Sequence, residues 1–359
     1  ASNAPVTIKA KTIELFANRT YDGTAHLLGG DVSITTGVGN ETLTHAGTTS
    51  SSKDVAVANK FISSITLADA IDGSGGVSTN YQLPSLDAIN APVTITARTV
   101  GLSANRIYDG SLDLLGADVT ITTGVGIETL SHTETTSSSK DVATADKYID
   151  AITLLDALDG SGGLVTNYQL PNLDSANAPV SIDAKTVGLS AHRIYDGTFD
   201  LLGSDVSIIT GVGNETLSHI GTTSSSKDVA TTNKFISAIS LTDASDGSGG
   251  WASNYQLPTL DATDAPVTIN AKTIGLSANR IYDGTFDLLG SDVSIITGVE
   301  NETLSHAGTT SSSKDVAVAN KFINAITLTD ATDDSGGIST NYQLPSLDAI
   351  NAPVTISAR

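Results

Sequence analysis

Apolar and polar residues alternate along this chain in short runs of Val, Ile, Leu and Thr, each closed within a few positions by Gly, Asp, Asn, Ser or Pro. A period of two over four to eight residues marks a strand with one face buried. No stretch sustains a helical period over three turns with caps, so the pattern predicts an all-β protein. In the segment 99–185 the predicted strands are Thr99–Ala104, Asp118–Thr122, Glu128–His132, Lys147–Leu154, Tyr168–Leu170 and Val180–Ala184. Several short strands with turn signals between them indicate small β-sandwiches of Ig-like type, with β-grasp-like units as the alternative.

The same pattern returns four times at an interval of 87 residues, without insertion or deletion. Tyr-Asp-Gly stands at Tyr21, Tyr108, Tyr195 and Tyr282, and Asn-Tyr-Gln-Leu-Pro at Tyr81, Tyr168, Tyr255 and Tyr342. Fixed self-similarity of this kind points to an array of modules. The apolar parity switches once per repeat. Val93, Ile95 and Ala97 occupy odd positions, whereas Val100, Leu102 and Ala104 occupy even ones. A one-residue slip inside a strand would turn its apolar face outward, so either a β-bulge or a module boundary lies at Arg98-Thr99. The boundary is preferred, because Lys11-Thr12, Lys185-Thr186 and Lys272-Thr273 repeat it and no Gly/Ser/Pro-rich linker exists elsewhere. The expected modules are 12–98, 99–185, 186–272 and 273–359, with 1–11 as the orphan last strand of a preceding repeat. The chain thus reads as a piece of something longer. Tight junctions predict an elongated, stiff rod of roughly 150 Å if each module spans about 35–45 Å.

Composition narrows the function. A formal net charge of −21 would repel nucleic acid and anionic membranes. Cys is absent, which excludes disulfides and thiolate chemistry, and no apolar run is long enough to span a bilayer.

Tyr-Asp-Gly reads as a turn with its ring in the core, against a sugar-stacking surface as the competing reading. The two marker tyrosines of each repeat, 60 residues apart, are expected to share that repeat's core. Asp69–Gly76 and its copies at Asp156, Asp243 and Asp330 resemble a calcium loop superficially, but the spacing fits no known calcium repeat, and a hairpin loop is expected. Calcium is therefore the one cofactor kept open. His45, His132, His219 and His306 recur singly and suit a solvated or edge-strand position. The Thr48–Lys53 run and its copies offer hydroxyls without a base, as a polar edge or loop. Gly37–Glu41 precedes neither a helix nor Lys-Ser/Thr, so it is no phosphate loop. Trp251 stands where other repeats have Val77, Leu164 and Ile338, which a ligand anchor would not tolerate. Lys, Asn, Thr and Gln leave Lys–Asn or Thr–Gln cross-links conceivable. No catalytic, cofactor-binding or metal-ligating residue is assigned, and an enzyme is not expected.

The ordered set Tyr-Asp-Gly, Gly203–Ile208, Lys227–Ala230, Lys234–Leu241, Asn254–Leu257 and Ala265–Ile269 resembles the YDG domain. One departure is Lys-Asp-Val-Ala where that family commonly has Asn-Val-Gly. The resemblance implies tandem modules of large bacterial surface proteins, including haemagglutinin-like and biofilm adhesins, and brings no catalytic residues. The expected role is a secreted, cell-surface extender whose partners are its own neighbouring repeats. The alternative is a set of weak glycan- or self-binding modules acting by avidity, with the same protein on another cell as partner.

Overall fold

The computed structural model describes residues 4–359, and the chain is all-β. Among the described residues, helix is confined to 3-10 turns such as Ser78–Asn80, and none is long and apolar enough to cross a membrane. Two compact units divide the chain, the first ending at Asp183 and the second starting at Ala184.

In the first unit the opening repeat contributes β1 (Lys11–Thr12), β2 (Glu14–Thr20), β3 (Val32–Thr35), β4 (Thr44–Ser50), β5 (Ile62–Ala68), β6 (Tyr81–Gln82) and β7 (Val93–Thr96). β2 is the centre of a three-stranded sheet, antiparallel to β3 and parallel to β7. Hydrogen bonds carry the ladder from β7 towards β5, from Ile62 N–H to Ala91 O at 2.9 Å and from Val93 N–H to Lys60 O at 3.0 Å. β5 pairs with β4. The far edge of β4 is met by residues 25–27, through Leu27 N–H to Thr48 O and Ser50 N–H to Ala25 O. The backbone therefore bends round one core. β2 and β7 point alternate residues into it, Leu15 and Ala17 from one and Val93 and Ile95 from the other, facing Leu27, Ile62 and Ile65. Each fully buried Leu or Ile adds about 1.5–3 kcal/mol relative to exposure.

β7 ends at Thr96, Ala97 follows alone, and β8 (Arg98–Thr99) straddles the boundary that leads into the second repeat. It continues with β9 (Gly101–Ile107), β10 (Val119–Thr122), β11 (Ser131–Ser137), β12 (Ile149–Leu155), β13 (Tyr168–Gln169) and β14 (Val180–Asp183). Inward residues sit at odd positions in β7 and at even positions, Leu102 and Ala104, in β9. Residues 4–9, which include Val6 and Ile8, are exposed and belong to no strand; the first three positions of the expected orphan strand lie outside the described residues.

The first hairpin strand departs from the sequence expectation. β11 begins at Ser131 rather than Glu128, and β4 and β11 run on through hydroxyl residues read as polar edge or loop. Thr135 and Ser137 turn inward, 4% and 3% exposed, and their hydroxyls are satisfied at that depth. His132 Nδ1 bonds Thr135 Oγ1 at 2.7 Å, and Ser137 Oγ donates to Ser139 O at 2.7 Å. Apolar pattern alone misses a strand whose buried face is made of hydroxyls.

The second unit repeats this order, with Gly188–Ile194 between Val206–Ile209 and Val267–Asn270, and Gly275–Ile281 between Val293–Ile296 and Val354–Ser357. Most of its buried apolar residues form one connected cluster that includes Tyr195 and Tyr342.

Candidate functional site

The turn after β2 is fixed by local chemistry. Asp22 Oδ1 accepts from Thr24 N–H at 2.9 Å, an Asx turn, and Gly23 takes φ +84°. Arg19 reaches from β2 to pair with Asp22 and to donate to His26 O. This holds Tyr21 with its ring 1% exposed. The hydroxyl looks out of its own repeat. It donates to Glu128 Oε1 at 2.8 Å, in the second repeat.

Glu128 also accepts from Tyr168 of its own repeat at 2.6 Å, and Lys53 of the first repeat lies 3.6 Å away. The rings of Tyr21 and Tyr168 meet edge to face at 5.5 Å. Next to them Asn167, wholly buried, donates through Nδ2 to Asp54 Oδ1 at 3.0 Å and accepts from Val55 N–H at 2.8 Å. Lys60 props the loop that presents these groups, donating to Val55 O at 3.0 Å and Val57 O at 2.6 Å. Val125 closes against the turn so tightly that a Cβ on Gly23 would stand 2.6 Å from its Cγ1.

The second unit builds the same joint. Tyr195 donates to Glu302 at 2.7 Å, Tyr342 to the other oxygen at 2.6 Å, and Lys227 stands 3.5 Å away. Asn341 bonds Asp228 at 2.9 Å and Val229 N–H at 2.7 Å. Burial first, and then the carboxylate of Glu128 or Glu302, pushes the hydroxyls of Tyr21, Tyr168, Tyr195 and Tyr342 well above the ordinary phenol range.

The two marker tyrosines of one repeat therefore do not share a core as expected. Tyr21 stacks on Tyr168 and Tyr195 on Tyr342, each across a repeat boundary. The reason is that the turn at Gly23 aims Tyr21 along the chain, towards the following module. Glu128 and Glu302 escaped the sequence reading, although a Glu at that place in every repeat (Glu41, Glu128, Glu215, Glu302) was visible in the spacing. Tyr-Asp-Gly, Lys-Asp-Val and Asn-Tyr are three parts of one joint.

No family model, curated protein or solved structure matches this chain. The joint must accordingly be read from its own geometry.

The other marked residues lie apart from it. Asp72 Oδ2 accepts from the Thr42 hydroxyl at 2.7 Å and Oδ1 from Ser74 N–H at 3.0 Å, which lowers its carboxyl to about 2, with the Thr42 bond as the largest cause. The Asp-Gly loop is thus clasped to Thr42, in the connection just before β4, and Asp334 takes φ +61° where the other copies have Gly. Among the described residues no group of three or more His, Asp or Glu gathers as a metal site would require. His45, His132, His219 and His306 each bond a Thr hydroxyl through Nδ1, at 2.6–2.7 Å, while Nε2 is buried without a partner. A groove between β3 and the start of β4, lined by Gly29, Val32, Ile34, Leu43 and His45, recurs in the second unit. Gln82 Nε2 donates to Thr12 Oγ1 at 2.7 Å, and all four repeats keep this cross-strand pair. Trp251 is 58% exposed.

Proposed function

We propose that the chain is a non-enzymatic spacer. Its repeats 12–98, 99–185, 186–272 and 273–359 serve as tandem extender modules of a large bacterial cell-surface adhesin, holding a distal binding domain away from the cell. The observation that carries this reading is where the recurrent residues are spent. Tyr21, Lys53, Asp54, Glu128, Asn167 and Tyr168 all face a neighbouring repeat, and none converges on a cavity. A single residue, Ala97, separates β7 of one repeat from β8, the short strand that crosses into the next. That leaves little slack for a hinge, and the buried Asn and Glu contacts resist opening.

Each module, on this reading, is a small Ig-like sandwich in which the ladder curls round one core. A first strand flanked antiparallel by the second and parallel by the last is also the centre of a β-grasp sheet, which supports that alternative. Small-angle scattering on the whole chain tests the spacer. A maximum dimension near ~150 Å with little flexibility is expected, and a compact particle overturns it. The avidity reading is separated by retention on glycans or whole cells. Retention that rises steeply from one repeat to four would favour it over the spacer.

A further inference from the structure

Within one repeat the chain enters and leaves by neighbouring strands. β2 and β7 are parallel partners, from Ala17 beside Val93 to Thr20 beside Thr96. The backbone therefore arrives at the start of β2 and departs from the far end of β7. Tension drawn through it slides the two strands past each other along their length. Bonds in a parallel ladder are evenly spaced along the strands, so a sliding load falls on all of them together. The β4–β5 hairpin is the contrast. Its strands are antiparallel, with Thr44 beside Ala68 at the open end, and a load applied there parts the bonds one after another.

All four repeats close this ladder at both ends. At its start Ala17 N–H donates to Pro92 O at 3.0 Å, and Ala104, Ala191 and Ala278 donate to Pro179, Pro266 and Pro353 at 2.9 Å. At its finish Tyr21 N–H donates to Thr96 O at 2.9 Å, and Tyr108, Tyr195 and Tyr282 repeat the bond at 2.8–2.9 Å. The tyrosine of Tyr-Asp-Gly is thus the last rung as well as a ring. A second parallel tie lies just upstream. β1 pairs with β6, Ile13 N–H donates to Gln82 O at 3.1 Å, and the Gln82 side chain bonds Thr12. The other repeats keep that parallel pair. β7 is bonded on its other edge to Lys60 and Ile62, which stops it peeling sideways. Buried Leu15, Ala17, Val93 and Ile95 keep water from the inner side of the rungs.

We propose that each repeat is a mechanical clamp, in which tension along the chain is carried in shear by the parallel β2–β7 ladder and the β1–β6 tie beside it. Resistance to pulling follows the barrier to unfolding rather than equilibrium stability. A module of modest thermal stability can therefore hold a large force when the force runs along this ladder. The inference rests on strand order inside one repeat. It requires neither a stiff rod nor the surface-adhesin assignment.

Single-molecule force spectroscopy on the full chain provides the test. Stretched end to end, the chain should break in separate ruptures, each releasing about 250 Å as 87 residues straighten. Smooth extension without ruptures overturns the clamp. Direction of pull gives the second readout. The chain has no Cys, so introduced pairs take the handles at chosen points. Glu14→Cys with Thr96→Cys loads β2 against β7 in shear, and Thr44→Cys with Ala68→Cys opens the hairpin of the same repeat. The first pair should rupture at about threefold higher force or more. Equal forces, or a weaker first pair, overturn the clamp, and the end-to-end measurement stands even if a Cys pair disturbs the fold. A failed clamp would leave the scattering test of the spacer untouched, since a rod can be stiff and still weak under tension.

Discussion

Tyr195-Asp196-Gly197 and Tyr282-Asp283-Gly284 are the same turn in the same compact unit, and among the described residues only the first is met by a following repeat. Both use the Asx bond to the following Thr at 2.9 Å, both place Gly at positive φ, and both anchor Arg on the Asp. Yet Tyr195 is 1% exposed and bonded to Glu302, while Tyr282 remains partly exposed. The local turn is thus self-sufficient, and its aromatic ring is completed from outside. The contrast separates what the motif does for its own repeat from what it does for the next.

The largest effect is expected at the buried amide. Asn341→Ala strips Asp228 and Val229 N–H of their partner in a dry setting and should cost about 2–4 kcal/mol. Asn80→Ala, at the exposed counterpart, should stay within about 0.5 kcal/mol. Hydrogen exchange at the Val229 amide reads this directly, and equal protection in both variants would break the comparison.

Gly197→Ala and Gly284→Ala share a left-handed penalty of about 1–2 kcal/mol. Only the first also drives a methyl into Val299, 2.6 Å from where its Cβ would stand, adding about 1–3 kcal/mol. Thermal unfolding of the pair should differ by that increment.

Tyr195→Phe deletes a hydroxyl that donates to a carboxylate and should cost about 1.5–3 kcal/mol, whereas Tyr282→Phe should be nearly silent. Alkali probes the same bonds. The folded hydroxyls of Tyr195 and Tyr342 keep their protons beyond the ordinary phenol value of about 10, so their contribution is complete below that pH. It is lost as pH climbs from there towards the raised folded values. Tyrosinate absorbance should show these residues ionising late, together with unfolding. The smallest effect belongs to Lys227→Ala, about 0–1 kcal/mol, because that ammonium is 30% exposed and 3.5 Å from Glu302.

Much of this was legible beforehand, for definite reasons. Val93 and Ile95 against Leu102 and Ala104 announce a change of face, because side-chain direction in a strand has a strict period of two. Tyr-Asp-Gly announces its turn, because only Gly tolerates that φ cheaply. The partner of Tyr21 was not legible. Every repeat offers a Glu at the right place, and the pattern is the same whether Tyr21 reaches Glu41 or Glu128. Perfect repetition hides which copy is touched. The strand through Thr135 and Ser137 is invisible to an apolar pattern, because the side chains it buries carry hydroxyls.

Every repeat carries both the turn and the carboxylate that the turn of the preceding repeat seeks, so plug and socket are copied together whenever the 87-residue period is duplicated or deleted. Lengthening such a gene by whole periods needs no fresh surface to evolve. A partial period that carried the turn without the Glu would leave a plug without its socket.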